Sequence, residues 1–319
     1  MLMNLEILFN FCMVMGVTIA ISSNNWLMIW LGLELSMMSF IPIMSKKSKL
    51  NSESCIKYFI IQSLSSSIMM MGVIMMSIWT SNMILMLSVL LKLGVSPFHT
   101  WVVSIIEGME YYSIFVMLTL MKLSPIIMLS YLNNNFNLFI ILSLLVGSIS
   151  GLNQNSISKI MGYSSIFNMS LILSSVNMQE IWVTFFLMYT ISLVLMNYLV
   201  LKLNLNFINQ MMMNNFKMST KTCCWFTVLS MGGFPPFMGF FGKLLVIKFL
   251  MTTNQFLVTF IMIMTSLIVM FFYTRMVVMS IILFYNIPKW LTMTKMNFNS
   301  FVIMVSLILP FILFNLKSL

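Results

Sequence analysis

The chain has 319 residues, 61% of them hydrophobic and 7% charged, with 16 Lys+Arg against 6 acids for a net charge of +10. A soluble domain carries about 25% charge, and so few ionic groups cannot cover a globule of this length, which excludes a soluble enzyme. The apolar share equally excludes a disordered chain.

All six acids are Glu, and Arg275, His99 and Ala20 are each the sole residue of their type. Neither a multi-His metal site nor a Ser-His-Asp triad can be assembled from such an inventory. A positive balance would point to nucleic acid in a soluble protein. Here the basic residues lie between apolar runs, so the expected partner is the lipid bilayer and no nucleic acid. Cys12 sits in an apolar run, Cys55 reads as a loop residue, and Cys223 and Cys224 are adjacent. Without a CxxC, no zinc knuckle or iron–sulfur ligand set is expected. Met1 to Glu6 carries neither a basic n-region nor an Arg-rich amphipathic run, so no import signal is expected. The 39 Met and 28 Phe, set against one Ala and one Arg, fit an AT-rich genome and a code reading AUA as Met, as in a mitochondrial gene.

A helix needs about 20 apolar residues to cross the hydrocarbon core. The sequence predicts about eleven such segments in chain order: 5–22, 25–44, 57–80, 83–103, 112–132, 138–153, 157–176, 180–202, 223–250, 256–283 and 300–316. The sixth is short, and the two beginning at 223 and 256 are long enough to be tilted or broken. Ser45 to Lys49, Asn133 to Asn135, Asn204 to Thr222 and Asn286 to Asn299 read as loops. No connection is long enough for a soluble domain, and the continuous runs do not suit the alternating strands of a β-barrel. Residues 1–319 therefore read as a single transmembrane domain of an all-α polytopic membrane protein. With the N-terminus on the matrix side, Lys46, Lys47, Lys49, Lys57, Lys159, Lys202, Lys217, Lys221, Lys289 and Lys295 share that side, against Lys248 and Lys317 on the other. That asymmetry follows the positive-inside rule.

With loop and interface charges set aside, four remain well inside predicted spans: Glu34, Lys92, Lys122 and Lys243. Each costs about 2.5–3.5 kcal/mol at a helix centre if charged and unpaired. They are expected to face protein or water, to pair, or to give up their charge, and groups so poised can take and release protons. Snorkelling or a structural ion pair is the alternative reading, and it weakens when four such groups occur together. Two of the lysines adjoin helix-breaking sequences, Lys92-Leu93-Gly94-Val95-Ser96-Pro97-Phe98-His99 and Gly232-Gly233-Phe234-Pro235-Pro236-Phe237 with Lys243 following. Proline opens a helix, and open backbone at membrane depth is tolerated only under protein cover or beside a watery cavity. Such paired breaks point to an ion path, whereas Pro125 and Pro310 suit plain kinks. His99 reads either as a core residue or as a proton relay. Gly151 to Gln154 and Tyr163 to Ser165 either hold waters or hydrogen-bond neighbouring helices. Gly242-Lys243 is no P-loop, because Phe237 stands where Gly is required and Leu244 replaces Ser/Thr. No GxGxxG follows a strand, so no NADH site is expected.

Trp30-Leu31-Gly32-Leu33-Glu34, Phe40-Ile41-Pro42, Ile56-Lys57-Tyr58-Phe59, Lys92-Leu93-Gly94 with Pro97-Phe98-His99, Lys122-Leu123-Ser124-Pro125, Gly151-Leu152-Asn153-Gln154, Tyr163-Ser164-Ser165-Ile166 and Gly232 to Lys243 occur in that order. Together they resemble the mitochondrially encoded antiporter-like membrane subunits of respiratory complex I, in the shortened animal form and more loosely after about 285. The resemblance implies an antiporter-like fold with inverted repeats and two Pro-broken helices. It also implies a multi-pass place in the mitochondrial inner membrane among the other membrane-arm subunits. Protons and water would be the transported species, coupled to NADH-to-ubiquinone electron transfer carried out by other subunits, with no cofactor in this chain.

By the same resemblance Glu34 is the carboxylate paired with a Lys, Lys92 that Lys, Lys122 the central relay and Lys243 the exit-side Lys. Asn168 departs from the pattern, standing where many relatives carry a protonatable His, and Gly242 and Leu244 replace residues that commonly flank the last Lys. A stand-alone cation/proton antiporter, a purely structural membrane subunit and a redox subunit with a bound chromophore are the competing readings. In the coupled mechanism, ionised Glu34 holds a proton on Lys92, and weakening that pair drives the proton toward Lys122 and then Lys243. Two unit charges at 4 Å attract by about 4 kcal/mol at an effective dielectric of 20, roughly a thousandfold in proton affinity.

Overall fold

The computed structural model describes residues 2–45, 49–78, 82–132, 136–213 and 218–282, and among them every regular element is helical. Among the described residues, six helical stretches are long and apolar enough to cross a membrane: Leu5–Ser22, Trp26–Met44, Lys49–Met76, Tyr111–Tyr131, Gln179–Leu203 and Phe256–Ile281. Large apolar side chains such as Phe11, Leu64, Phe260 and Phe271 stand exposed on them. In water such faces would aggregate, whereas lipid accepts them.

The chain forms two compact units, Met1–Ser143 and a second from Leu144 onward. In the first, α1 (Leu2–Ser22) and α2 (Trp26–Met44) are joined by a short turn and pack along their length. Next come α3 (Lys49–Ile78), α4 (Met83–Leu93), α5 (Thr100–Ile106), α6 (Tyr111–Leu118) and α7 (Leu120–Tyr131). α3 packs on α2, α4 and α5, and α7 packs on α1, α2, α4 and α6. The division between the units falls within α8 (Asn137–Leu152), which is short as its sequence predicts.

The second unit continues with α9 (Ile157–Ser174), α10 (Gln179–Leu203), α11 (Ile208–Met213), α12 (Met218–Gly232), α13 (Met238–Thr252) and α14 (Phe256–Ile282). α13 packs on α9, α10, α12 and α14, and α14 on α11 and α12. An antiparallel bridge pairs Ser156 with Phe207, so the start of α9 and the end of α10 lie at the same end of this unit.

Both predicted breaks are present and are built alike. α4 ends at Gly94 with φ +68, where Gly94 N donates to the carbonyls of Leu90 and Leu91 and Val95 N donates to Leu90. α12 ends ahead of Gly233 with φ +81, where Gly233 N donates to Leu229 and Ser230 and Phe234 N donates to Leu229. This is the left-handed glycine stop that pays back the last carbonyls of a helix, and a side chain at either position would be strained.

Several boundaries differ from the sequence reading. The span at 112–132 is interrupted at Thr119 (φ −116, ψ −82), between α6 and α7 and ahead of Pro125, which itself sits inside α7. The Thr119 hydroxyl donates to the Phe115 carbonyl at 2.7 Å and keeps that acceptor bonded beside the interruption. The third helix begins at Lys49, so Cys55 is a buried helical residue and no loop residue. The early start lets Lys57 pair with Glu53 one turn back at 2.6 Å. The loop expected from Asn204 to Thr222 holds α11 and the start of α12. The expected span 300–316 and Lys46, Lys47, Lys217, Lys289, Lys295 and Lys317 lie outside the described residues.

Candidate proton-transfer sites

In the first unit, α2 carries Glu34, α4 carries Lys92 in its last turn, and α7 carries Lys122 in its first. Glu34 is half-buried, while Lys92 and Lys122 are only 8% and 5% exposed. Both lysines line one small pocket of about 20 Å³, together with Ser36, Tyr58, Gln62 and Trp101. That is room for about one water molecule with polar partners on several sides. Glu34 acts electrostatically on both Lys92 and Tyr58. The structure thus brings Glu34, Lys92 and Lys122 into one neighbourhood, with the space between the two lysines.

Two side chains add hydrogen bonds to the carbonyls at the break in α4, where the helical ladder runs out. Trp101 Nε1 donates to the Leu91 carbonyl at 3.1 Å, and Gln62 Nε2 donates to the Lys92 carbonyl at 3.4 Å. Neither residue was singled out from the sequence, although an amide within the apolar third span was the available signal for Gln62. Tyr58 likewise escaped notice as a lining residue. It is 2% exposed and holds its place by edge contact with Phe40 at 5.3 Å between ring centroids.

His99 is the N-cap residue of α5, half-buried, with Nδ1 buried and without a hydrogen-bond partner. It does not line the space between Lys92 and Lys122.

In the second unit, Lys243 lies in the second turn of α13 and is 6% exposed. Its Nζ donates to the carbonyl of Gly232 at 2.7 Å and stands 5.4 Å from the centroid of the Phe167 ring. The ammonium therefore caps the broken end of α12 and rests over an aromatic face, two contacts that hold a cation in a dry place. Ser164 and Ser165 donate to their own helix, to Met161 at 3.0 Å and Gly162 at 2.6 Å. Their donors do not bridge helices, and their lone pairs remain able to accept.

Arg275, to which the sequence assigned nothing, donates from Nη1 to the Leu152 carbonyl at 2.8 Å and from Nη2 to the Gln154 carbonyl at 2.9 Å. It thereby sits at the same end of its unit as Lys159 and Lys202, which flank the bridge between Ser156 and Phe207. Among the described residues, no three His, Cys, Asp or Glu gather as metal ligands.

An all-helical membrane protein with glycine-stopped broken helices and buried lysines beside them falls in the class of antiporter-like subunits. The family model for NADH:quinone oxidoreductase/Mrp antiporter transmembrane proteins matches residues 23–85 and 78–269, and the chain belongs to that family. NADH-ubiquinone oxidoreductase chain 2 of Anopheles gambiae is 40% identical over 96% of this chain and 94% of the relative. The Aedes aegypti protein of that name is 36% identical over 94% and 93%. A chain of respiratory complex I from Thermus thermophilus shares the fold, with a TM-score of 0.80 at 18% identity over 99% of this chain and 79% of that one.

Proposed function

We propose that this chain is a proton-translocating membrane subunit of respiratory complex I, working in the mitochondrial inner membrane beside other membrane-arm subunits. It contributes to NADH:ubiquinone reduction as the part that moves protons, while other subunits carry the electrons and the cofactors. The observation that carries the reading is the water-sized space shared by Lys92 and Lys122, with Glu34 acting on Lys92 from α2. Glu34 holds a proton on Lys92 when ionised, and Lys92 releases it through one water to Lys122 when that hold weakens. Lys243 takes the exit-side role. His99, half-buried at the start of α5 with Nδ1 out of solvent, is the candidate for loading Lys92.

The chain acts as one transmembrane domain over 1–319, crossing the bilayer about eleven times when the broken helices and 300–316 are counted. We further propose two repeats of inverted topology, each carrying one glycine-stopped break, at Gly94 and at Gly233. The clustering of Arg275 with Lys159 and Lys202 at one end of the second unit supports a matrix-side assignment for that end, and with it an N-terminus on the matrix side.

The test is Lys122→Met, and separately Glu34→Gln, in the assembled complex, with protons moved per electron as the readout. The reading expects fewer protons per electron in both. An unchanged ratio with full assembly overturns it.

A further inference from the structure

The second unit carries a slot that the proton path does not use. It runs between α12 and α14, with Lys221, Cys224 and Val228 on one wall and Met276 and Val277 on the other. Its empty space is about 340 Å³ with the open side included. Lys221, Cys224 and Val228 fall on one face of α12, since positions three and four apart are neighbours on a helix. From Lys221 to Val228 the wall descends about 10 Å. The slot is thus basic at one end and apolar for the rest of its length. Trp225 Nε1 donates to Ser280 Oγ at 2.6 Å and ties α12 to α14 between those two levels.

Charge and exposure decide what suits this shape. Glu180 is the only acid after Glu110 in the sequence, and it stands in the first turn of α10. Lys202 stands in the last turn, about 33 Å away along that helix. Lys221 lines the slot beside Leu203 and so shares the end that holds Lys202, Lys159 and Arg275. The positive-inside rule accounts for exposed lysines at such an end, yet Lys221 is only 5% exposed. A buried ammonium is favoured by an anion beside it. On α10 and α14 near the slot, Leu201, Val278 and Ile281 stand exposed, so lipid reaches its open side. An extended polypeptide laid in the slot would bring backbone donors and acceptors against an apolar wall. An acyl chain brings none, and a phospholipid joins that chain to an anion at the required end.

We propose that this slot binds one acyl chain of an anionic phospholipid, with the phosphate against Lys221. The chain lies along Cys224, Val228 and Met276 and fills the gap between α12 and α14. The headgroup adds negative charge to the end of the unit where the lysines and Arg275 gather.

The experiment photolabels the assembled complex in phosphatidylcholine vesicles that carry a trace of a lipid with a diazirine in its acyl chain. That lipid is phosphatidylglycerol in one arm and phosphatidylcholine in the other. Label is mapped by mass spectrometry, and a density map of the unmodified complex shows what fills the slot. The expected results are label on 221–228 and 276–280, and about fivefold more of it from phosphatidylglycerol than from phosphatidylcholine. Lys221→Gln is expected to lower the phosphatidylglycerol label about fivefold, the worth of one basic residue toward an anionic lipid. Equal labelling by the two lipids overturns the proposal, as does phosphatidylglycerol label unchanged in Lys221→Gln. Should that variant fail to assemble, the two lipids compared on the unmodified complex decide. Polypeptide density in the slot, from a neighbouring subunit or from residues 283–319 of this chain, also overturns it.

Discussion

Lys243 Nζ donates a 2.7 Å hydrogen bond to the carbonyl of Gly232, the last residue of α12. The side chain proposed to move a proton is thus also the cap of the helix that breaks in front of it. Transport and local stability are coupled at this point, and two substitutions separate them. Lys243→Met keeps the length of the side chain but removes the donor, and leaving a buried carbonyl unmatched costs about 1–3 kcal/mol. Gly233→Ala keeps Lys243 but forces a side chain into a left-handed backbone, about 1–2 kcal/mol, with its Cβ 2.6 Å from Nζ. Both variants are expected to lower the unfolding temperature of the complex, and only Lys243→Met to abolish proton transport outright. Equal transport in the two would show that the amine matters only as a cap.

At the other break the caps are separate residues. Gln62 and Trp101 bond the carbonyls of Lys92 and Leu91, so Lys92 is free of that duty. Gln62→Leu is expected to cost about 1 kcal/mol and, by removing an amide from the wall of the Lys92–Lys122 space, to slow transport without changing electron transfer to an artificial acceptor. Trp101→Phe removes the shorter bond, at 3.1 Å, and is expected to destabilise more than Gln62→Leu. The two are ranked by unfolding temperature in the assembled complex, and the reverse order would remove the carbonyls of α4 from the account.

What could be read from the sequence was whatever stands out against an apolar background. Glu34, Lys92, Lys122 and Lys243 are anomalies at membrane depth, and Gly-x-x-Pro-Phe at 94–98 and 233–237 marks the breaks by composition. The helices around them follow from hydropathy alone. Partnership was not legible, because it depends on which faces meet across helices far apart in sequence. Gln62 to Lys92 and Arg275 to Gln154 are of this kind. The interruption at Thr119 was also hidden, since Leu118-Thr119-Leu120 carries no breaker and Pro125 drew attention downstream.

The α1–α2 pair sets the position of Glu34, and it rests on small residues. A Cβ on Gly16 would meet Ser36 N at 2.7 Å, and one on Gly32 would meet Ala20 N at 2.7 Å. Gly16 and Ala20 on one helix face Gly32 and Ser36 on the other, each four residues apart, the spacing that lets membrane helices approach backbone to backbone. The chain's single alanine is therefore placed where Gly32 needs room. Gly32→Leu is expected to push the helices apart at a cost of about 1–3 kcal/mol or more, because backbone atoms cannot swing away as a side chain can. The amount of assembled complex on a native gel is expected to fall, and to fall more for Gly32→Leu than for Leu31→Ala, whose side chain is 44% exposed. Similar losses in both would deny the close contact.

Arg275 makes the strongest claim about a residue type. Its two nitrogens bond two carbonyls on either side of Asn153, closing the C-terminal end of α8 from α14. A guanidinium spans both acceptors in one plane, whereas an ammonium is a compact point donor on a flexible stem. Arg275→Lys is expected to keep one of the two bonds and Arg275→Gln to lose the charge-assisted strength of both, at about 1.5–3 kcal/mol per bond to a charged group. Amide hydrogen exchange across 153–157 in the assembled complex is therefore expected to quicken in the order wild type, Lys, Gln. The bridge between Ser156 and Phe207 depends on the same loop, so exchange at Ile208, which donates to the Asn155 carbonyl at 3.0 Å, is expected to follow that order too. A Lys variant indistinguishable from wild type at both places would show that the positive charge alone, without the forked geometry, holds this end of the unit.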